Sequence, residues 1–446
     1  MSLYPINIVD TVKAAPTNKI SFIRDSEIEN IIRSYATPIF SAANLEADSI
    51  PVYIIEDENL NAFVAGGMKV FIHTGLLMQT ETPNQLIGVI AHETGHIAGG
   101  HLARAQEQLE NATIEDIIAT VLGIGAVVAG GIGGAGMDNR AAGILLNSGA
   151  GVGLQSMLQH TRTQEAAADQ AALSYLDRTG QSSKGFLEFF QILKSQENML
   201  GSQQNVYLRS HPLTEDRIKA VREHFNHSPF SSRIDSPQKL ALHQRMKAKL
   251  IGYFMPLQTV LQLYPESNTS DIARYARAFA YYRSSQTNKS IALMDNLLQQ
   301  SPNDPYYNEF KGQILFETGH NQEALPYYQK AVDLLPNDPL LRLELGRVEI
   351  ESENPQNNLS AITNLERTLQ KEPDNSNAWR LLSIAYGRSG NLGMAALALA
   401  EEQSARGHQE EAKQQAERAL KLLPYGSPGW LRAQDIQNEA KISKNK

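Results

Sequence analysis

The stretch GVIAHETGHIAGGH, Gly88–His101, contains two histidines four residues apart, with a glutamate directly after the first. Upstream, Thr82 is a suitable N-cap, Pro83 suits the first helical position, and Gln85 can complete a capping box. These residues predict a helix that begins at Pro83 and runs through the two histidines. Because positions four apart share one face of a helix, the two imidazoles are predicted to lie side by side.

The residues His92, Glu93 and His96 form the pattern HExxH, whose spacing suits a metal site. Two imidazoles one helical turn apart can bind one zinc ion. Glu93 lies about 100° around the helix from His92, close to such an ion but outside its ligand set, where it can take a proton from water. Leu102 occupies the position at which some zinc sites carry a third histidine. His101, five residues after His96, is predicted to point away from the ligand face.

A catalytic zinc ion needs three protein ligands and one open position, so the chain must supply a further ligand. The segment TRTQEAAADQAAL places Glu165 and Asp169 four residues apart on a second predicted helix. Glu165 can complete a set of two histidines and one glutamate. Asp169 can accept a hydrogen bond from the free ring N–H of a ligand histidine and so fix its orientation. The surrounding alanines predict close packing against another helix.

The composition limits the class of protein. The chain has 446 residues, 42% of them hydrophobic and 20% charged, which is typical of two or three folded domains. A formal net charge of -8 argues against a nucleic-acid-binding surface. The chain has no cysteine, which excludes disulfides and thiolate zinc sites and suits an oxidising compartment. Its start, MSLYPINIVD, lacks the features of a signal peptide, and we expect that MSL replaces a natural signal.

The first domain, predicted over residues 1–228, combines helices with short strands. Residues 26–44 have helical periodicity, and VYIIE and KVFIH are typical of strands on either side of NAFVAGG, whose glycines allow a tight turn. Residues 160–200 are again helical, and YLRSHPLTEDRIKAVREHF predicts a turn followed by an amphipathic helix. The polar stretch HSPFSSRIDSPQ marks the domain boundary, and residues 229–270 are predicted to form linking helices.

An apolar, glycine-rich segment, residues 117–158, interrupts the first domain. Residues 117–137 carry no charge and contain seven glycines. Glycine costs about 1 kcal/mol per helical position, which disfavours a membrane span. The segment is interpreted as a lid or hairpin over the site, with a surface that contacts membrane or a protein partner as the alternative.

The last part of the chain, residues 271–440, repeats. SPNDP at 301–305 recurs as LPNDP at 335–339, a shift of 34 residues that is typical of tetratricopeptide helix pairs. The next unit fits if three residues are inserted near ENPQNN. Small and large residues recur where such a repeat needs them: Gly312, Ala324, Tyr328, Ala331 and Pro336. An array of this kind is an interaction surface, or else a brace for the first domain.

Taken together, HETGH, EAAAD and SHP followed by an arginine resemble the gluzincin metallopeptidases of the HtpX and BepA type, and the repeats make the BepA-like group most similar. NAFVAGGMKVFIHTGLL also matches the family's lead-in. The resemblance implies a mainly α protein: a zincin-type α+β metallopeptidase domain, helix-rich with a small sheet, followed by an all-α tetratricopeptide solenoid. It implies one zinc ion per chain on His92, His96 and Glu165, with Glu93 as general base and Asp169 as the orienting carboxylate.

The resemblance also implies roles for residues outside the HETGH and EAAAD motifs. His211, in RSHPLTEDR, corresponds to a histidine that can be a fourth zinc ligand, which would make the enzyme latent. Its other role is catalytic, as a hydrogen-bond donor to the tetrahedral oxyanion. Arg217 is expected to contact substrate or brace this loop. A substrate strand is expected to add to the edge strand that contains Asn61, Ala62 and Phe63.

These features predict a zinc metalloendopeptidase with repeats that recruit substrate or a protein partner. The resemblance implies that the enzyme is periplasmic and cleaves misfolded or stalled envelope proteins. By resemblance that partner is the outer-membrane assembly machinery, and peripheral membrane contact is an open alternative. Nucleic acid is not expected as a partner. The alternative function is a chaperone or assembly factor that has a latent zinc site and uses its repeats as the main binding surface.

Overall fold

The structure, a computed structural model, describes residues 21–101, 161–200, 206–352 and 354–443. The predicted lid or membrane-contacting segment 117–158 and the expected signal replacement lie outside these residues. The chain divides into two compact units, one that ends at Leu263 and one that runs from Tyr264 to the C-terminus.

A four-stranded mixed sheet lies in the N-terminal unit. Its strands are β1 (Phe22–Ile23), β2 (Val52–Ile55), β3 (Ala62–Ala65) and β4 (Lys69–His73), in the spatial order β1-β2-β4-β3. The pair β2–β4 is parallel, and the other two pairs are antiparallel. Gly66 and Gly67 have φ of 56° and 92°, a conformation that favours glycine, and they make the predicted tight turn between β3 and β4. Among the described strands, β3 lies at one edge of the sheet.

The same unit also contains helices, one of which is central. They are α1 (Ser26–Ala42), α2 (Thr74–Gln79), α3 (Pro83–Ala98), α4 (Arg162–Arg178), α5 (Lys184–Leu200), α6 (Val206–Ser210), α7 (Glu215–His227), α8 (Pro237–Phe254) and α9 (Leu257–Leu263). Helix α3 contacts α1, α4 and α5 as well as strand β3. All of its residues from Gln85 to His96 are buried, which is typical of a helix at the centre of a domain.

The start of α3 is set by its first residues, with one difference from the prediction. The Thr82 side chain accepts a hydrogen bond from the Gln85 N–H at 3.3 Å, and Pro83 occupies the first turn. The Gln85 side chain, however, accepts from the Glu81 N–H at 2.8 Å instead of returning to the cap residue. The cap is therefore present, but its reciprocal bond is shifted by one residue, from Thr82 to Glu81.

Two glycines let neighbouring helices approach α3 closely. A Cβ on Gly88 would lie 2.7 Å from Phe186 Cβ, and one on Gly95 would lie 2.7 Å from the Ala168 carbonyl oxygen. Ala168 is fully buried at this contact. The close helix packing that the alanines predicted is thus between α4 and the histidine-bearing part of α3.

The C-terminal unit is a series of helix pairs: α10 (Asp271–Arg283) with α11 (Thr287–Gln300), α12 (Pro305–Glu317) with α13 (Asn321–Leu334), α14 (Pro339–Glu351) with α15 (Pro355–Lys371), α16 (Ser376–Arg388) with α17 (Leu392–Ala405), and α18 (Gln409–Leu422) with α19 (Pro428–Ser443). The inserted residues fall in α15, which has 17 residues where α13 has 14. The predicted fold class, a small-sheet α+β domain followed by helical repeats, is confirmed.

The repeated PNDP motif starts a helix in each repeat. Asp304 caps α12 by accepting hydrogen bonds from two backbone N–H groups, both at 3.0 Å, and Asp338 caps α14 in the same way. The proline that follows each aspartate occupies the first turn. Within the pair, a Cβ on Gly312 would lie 2.9 Å from the Tyr328 ring, so the small and large residues of the repeat pack against each other as predicted.

None of the helices within the described ranges is both long enough and apolar enough to cross a membrane.

Candidate metal centre

Four buried side chains meet in the N-terminal unit: His92 and His96 of α3, Glu165 of α4, and His211, which directly follows α6. One nitrogen or carboxylate oxygen from each lies within 4.8 Å of all the others. The first three side chains are fully buried and His211 is 1% exposed. The structure thus brings together the three residues proposed as ligands from spacing and the fourth that was proposed from resemblance.

The donor atoms of this cluster converge on one point. His92 Nε2 lies 3.1 Å from His96 Nε2, and Glu165 Oε1 lies 3.2 Å from His96 Nε2. His211 Nδ1 is 3.0 Å from Glu165 Oε1 and 3.3 Å from His92 Nε2. Ligand atoms about 2.0–2.1 Å from a tetrahedral zinc ion are separated by roughly 3.3 Å. The observed separations and the set of three imidazoles and one carboxylate both fit zinc.

Glu93 lies beside the cluster and outside it. It is 1% exposed, and its Oε1 lies 3.6 Å from His211 Nε2. Among the residues that the structure describes, no donor forms a hydrogen bond with either carboxylate oxygen of Glu93. Burial raises the pKa of this carboxyl above its usual value. A buried carboxylate with a raised pKa and free oxygens can accept a proton from a reacting water.

A second carboxylate orients His92. Asp169 Oδ1 lies 2.9 Å from His92 Nδ1, which leaves Nε2 directed at the cluster. Arg217 of α7 holds Asp169 with two hydrogen bonds, Nε to Oδ2 at 2.6 Å and Nη2 to Oδ1 at 2.9 Å. Its Nη1 donates to the Pro212 carbonyl at 2.8 Å and lies 2.6 Å from Glu165 Oε2. Arg217 therefore connects the loop after His211 to both carboxylates.

The electrostatics of the cluster favour positive charge at its centre. Burial alone would lower the pKa of His92, but the charge of Glu165 and the hydrogen bond to Asp169 raise it to about 9. Burial alone would raise the pKa of Glu165, yet the charges of His211 and His92 bring it below its usual value. The carboxylates thus stabilise a cation between these side chains, which a divalent metal ion can provide.

The edge strand lies against the same helix, but its side chains point into the domain. Asn61, Ala62 and Phe63 are 1%, 1% and 4% exposed. The Asn61 Nδ2 atom lies 3.4 Å from His73 Nε2, and the Phe63 ring stacks on Phe71 with centroids 5.0 Å apart. The groups of this strand that can bind a substrate are therefore those of its main chain.

Two residues near the cluster were not singled out as functional. Tyr207 is fully buried and stacks on His211, with ring centroids 4.6 Å apart. Its spacing of four residues from His211 was the available signal. His101 lies outside the ligand set, as predicted, but its Nδ1 lies 2.9 Å from His96 Nδ1. The prediction that it points away from the site was incomplete, because the chain turns back after the helix end.

The contact between Gly95 and Ala168 fixes the distance between the histidines and Glu165. We expect Gly95→Ala to push α4 away from α3, because the added Cβ would lie 2.7 Å from a backbone oxygen. Overpacking of this kind costs roughly 1–3 kcal/mol of stability. Zinc titration and thermal unfolding should show weaker binding and a lower Tm. Gly387→Ala, at a helical site with nothing within 4 Å, is the matched control and should lower neither the zinc affinity nor the Tm.

Comparison with known proteins agrees with this geometry. Residues 23–224 match the model of peptidase family M48, and residues 275–339 match a tetratricopeptide repeat model. The chain therefore combines a region that matches metallopeptidase family M48 with a later region that matches tetratricopeptide repeats. This confirms the predicted resemblance and the predicted enzyme class, a zinc metalloendopeptidase.

Some relatives match most of the chain, and another matches less than half of it. The chain is 26% identical over 394 residues to the beta-barrel assembly-enhancing protease of Escherichia coli K12, which covers 87% of this chain and 78% of the relative. The protein of the same name from Yersinia pestis is 24% identical over 378 residues, 82% and 74% of the two chains. Metalloprotease LoiP of Escherichia coli K12 is 26% identical over 202 residues, 45% of this chain and 71% of LoiP.

Among solved structures, a crystal structure of MamA is 18% identical and has a TM-score of 0.29, and it covers 38% of this chain and 94% of MamA. The tetratricopeptide protein YrrB is 14% identical with a TM-score of 0.30, over 54% of this chain and 95% of YrrB.

Proposed function

We propose that this protein is a periplasmic zinc-dependent endopeptidase that cleaves misfolded or stalled envelope proteins, and that its repeats recruit the substrate or a partner in outer-membrane assembly. The observation that carries the proposal is the convergence of His92, His96 and Glu165 on one point with Glu93 beside it. The assembly role is supported by the names of two relatives, which are beta-barrel assembly-enhancing proteases. The proposed compartment follows from the family resemblance.

The chemistry is divided among the residues of the site. A zinc ion bound by His92, His96 and Glu165 would supply Lewis acidity, which polarises a peptide carbonyl and lowers the pKa of water. Glu93 takes the proton of the attacking water on a carboxylate oxygen and gives it to the leaving amine, and its raised pKa suits both steps. Asp169 keeps His92 in the orientation that directs Nε2 at the cluster.

Substrate orientation is proposed to come from strand β3. Among the strands that the structure describes, β3 pairs with β4 alone, with the register Ala62–Ile72 to Ala65–Lys69. An extended peptide that adds to its other side would be aligned by main-chain hydrogen bonds. Because the side chains of β3 are buried, this alignment is expected to depend little on the substrate sequence.

His211 is proposed to keep the site latent. Its Nδ1 lies 3.0 Å from Glu165 and 3.3 Å from His92, so the side chain takes the fourth position that an open catalytic site leaves to water. The backbone of the loop is tied by Arg217 at Pro212. Movement of this loop would open the position, and His211 could then donate a hydrogen bond to the oxyanion.

We expect His211→Ala to raise kcat/KM for an unfolded protein substrate. If the closed state predominates ten to one, its removal gives an increase of about tenfold. Steady-state cleavage assays measure the change, and His227→Ala, an exposed histidine at the end of α7, serves as the control. An unchanged or lower kcat/KM would contradict latency and leave the oxyanion role.

The decisive test of the enzyme is metal content measured together with cleavage. We expect the purified protein to contain one zinc ion per chain, to lose cleavage of casein on treatment with a chelator, and to regain it with added zinc. The same assay on His211→Ala ensures that a latent site is not taken for an inactive one. Failure of both proteins to bind zinc, or cleavage that survives metal removal, would contradict the proposal.

The position of His211 in the ligand set also favours the second candidate, a chaperone or assembly factor with a latent site. In that case the repeats are the main binding surface, and cleavage is absent even from His211→Ala.

A further inference from the structure

The C-terminus of helix α3 ends in a defined cap. Gly100 has φ of 61°, and its N–H donates to the Ile97 carbonyl at 3.1 Å. The His101 N–H donates to the His96 carbonyl at 3.2 Å. These are the two bonds of a Schellman motif, in which the side chains at the positions of His96 and His101 touch and are usually apolar. Here both positions hold histidine.

The contact between the two imidazoles is polar. His101 Nδ1 lies 2.9 Å from His96 Nδ1, with the rings at 74° and their centroids 5.0 Å apart. The other nitrogen of His96, Nε2, lies 3.2 Å from Glu165 Oε1 and faces the cluster. A neutral imidazole carries one proton. When His96 Nε2 offers its lone pair to a metal, the proton is on Nδ1, directly opposite His101.

We propose that His101 is a positioning residue for the ligand His96. Its Nδ1 accepts the hydrogen bond from the Nδ1–H of His96 and holds that ring with Nε2 directed at the metal. Asp169 does the same for His92, so each ligand histidine of α3 has its own orienting partner. The inference rests on the proposed metal site and adds to it a residue outside the ligand set.

The two glycines before His101 are part of the same arrangement. A Cβ on Gly99 would lie 2.5 Å from His101 Nε2 and 2.9 Å from two of its ring carbons. Only glycine at that position leaves room for the ring. Gly100 supplies the left-handed conformation that turns the chain back toward His96. The sequence Gly99–His101 therefore combines a helix end with a support for a metal ligand.

The test compares zinc affinity, measured by competition with a chromogenic chelator, in His101→Phe and His101→Gln. Phenylalanine keeps a side-chain contact at the cap but has no acceptor, whereas the glutamine carbonyl can accept the bond. We expect the phenylalanine variant to bind zinc about 10–100-fold more weakly, with unchanged helix content, and the glutamine variant to recover most of the affinity. The visible spectrum of the Co²⁺-substituted protein should change for His101→Phe and return toward the wild type for His101→Gln.

Wild-type affinity in His101→Phe would overturn the inference, as would an equal loss in both variants at unchanged helix content. Gly99→Ala is a second test, because it displaces the His101 ring and changes no imidazole, and Gly387→Ala is its control. If His101→Phe does not fold, the comparison of these two glycine variants decides the inference. Failure of the wild type to bind zinc would overturn the proposed function as well. Zinc binding by the wild type that is insensitive to His101 and Gly99 would overturn this inference alone.

Discussion

Replacement of Glu93 by glutamine is expected to lower kcat/KM for an unfolded protein by about 10²–10⁴-fold. Glutamine has the same shape but cannot take a proton from water. Zinc content should not change, because Glu93 lies outside the set of ligand atoms. Stability should not fall either, since burial disfavours the ionised carboxylate and raises its pKa, and a neutral amide removes that cost. Cleavage rates, metal analysis and thermal unfolding on one preparation measure all three.

The control is Glu223→Gln, which changes an exposed glutamate on α7 and should leave cleavage unaffected. The Glu93→Gln variant also separates the two candidate functions. If Glu93→Gln still binds an unfolded client but no longer cleaves it, catalysis and recruitment are distinct, as the endopeptidase proposal requires. A Glu93→Gln protein that cleaves at the wild-type rate would show that another group is the base.

Most of the architecture could be predicted because its signals are local. Thr82 and Pro83 set the start of α3, and the repeated aspartate and proline of PNDP set the starts of α12 and α14, each through hydrogen bonds within a few residues. The 34-residue period followed from the same caps. The break between α4 and α5 was missed, because both helices have apolar periodicity and the turn between them, residues 179–183, contains only one glycine.

The part of the site that lies on one helix could be predicted from the sequence. The part that depends on tertiary contacts was harder to predict. The spacing of His92 and His96 is enough to place both rings on one face. Glu165 reaches these rings because Gly95 lets α4 approach α3 closely, and sequence spacing does not reveal that contact. His101 was misjudged because an ideal helix was extended to a residue that lies beyond its end. The positive φ of Gly100 reverses the chain and brings the ring back to His96.

Loss of the Arg217 guanidinium is expected to destabilise the N-terminal unit by about 3–5 kcal/mol. Arg217→Met keeps the length of the side chain and removes the cation that contacts Asp169 and Glu165, which are 2% and 0% exposed. Asp169 then loses two of its hydrogen bonds, and Glu165 loses its ion pair with the guanidinium. Urea unfolding with a chelator present measures the change, because bound metal would otherwise add its own stabilisation to both proteins.

The loss of stability in Arg217→Met should depend on pH in a defined direction. Burial alone would raise the pKa of Asp169, but its hydrogen bonds with Arg217 and His92 outweigh this and hold it below the usual value. A depressed carboxyl pKa contributes stability that is present at neutral pH and is lost as the pH falls through the folded-state pKa. The difference between Arg217→Met and the wild type should therefore be largest near pH 7 and shrink below about pH 4.

Two controls make this result specific. Arg222→Met changes an exposed arginine on the same helix, and its effect should stay within about 0.5 kcal/mol. Trp379 and Trp430 are the two tryptophans of the chain, and both lie in the unit that begins at Tyr264. Tryptophan fluorescence thus follows the repeats, and its transition should be unchanged in Arg217→Met. The part of the helix signal that comes from the N-terminal unit should be lost at lower urea. Equal shifts for Arg217→Met and Arg222→Met would mean that the buried contacts of Arg217 contribute nothing beyond those of a surface charge.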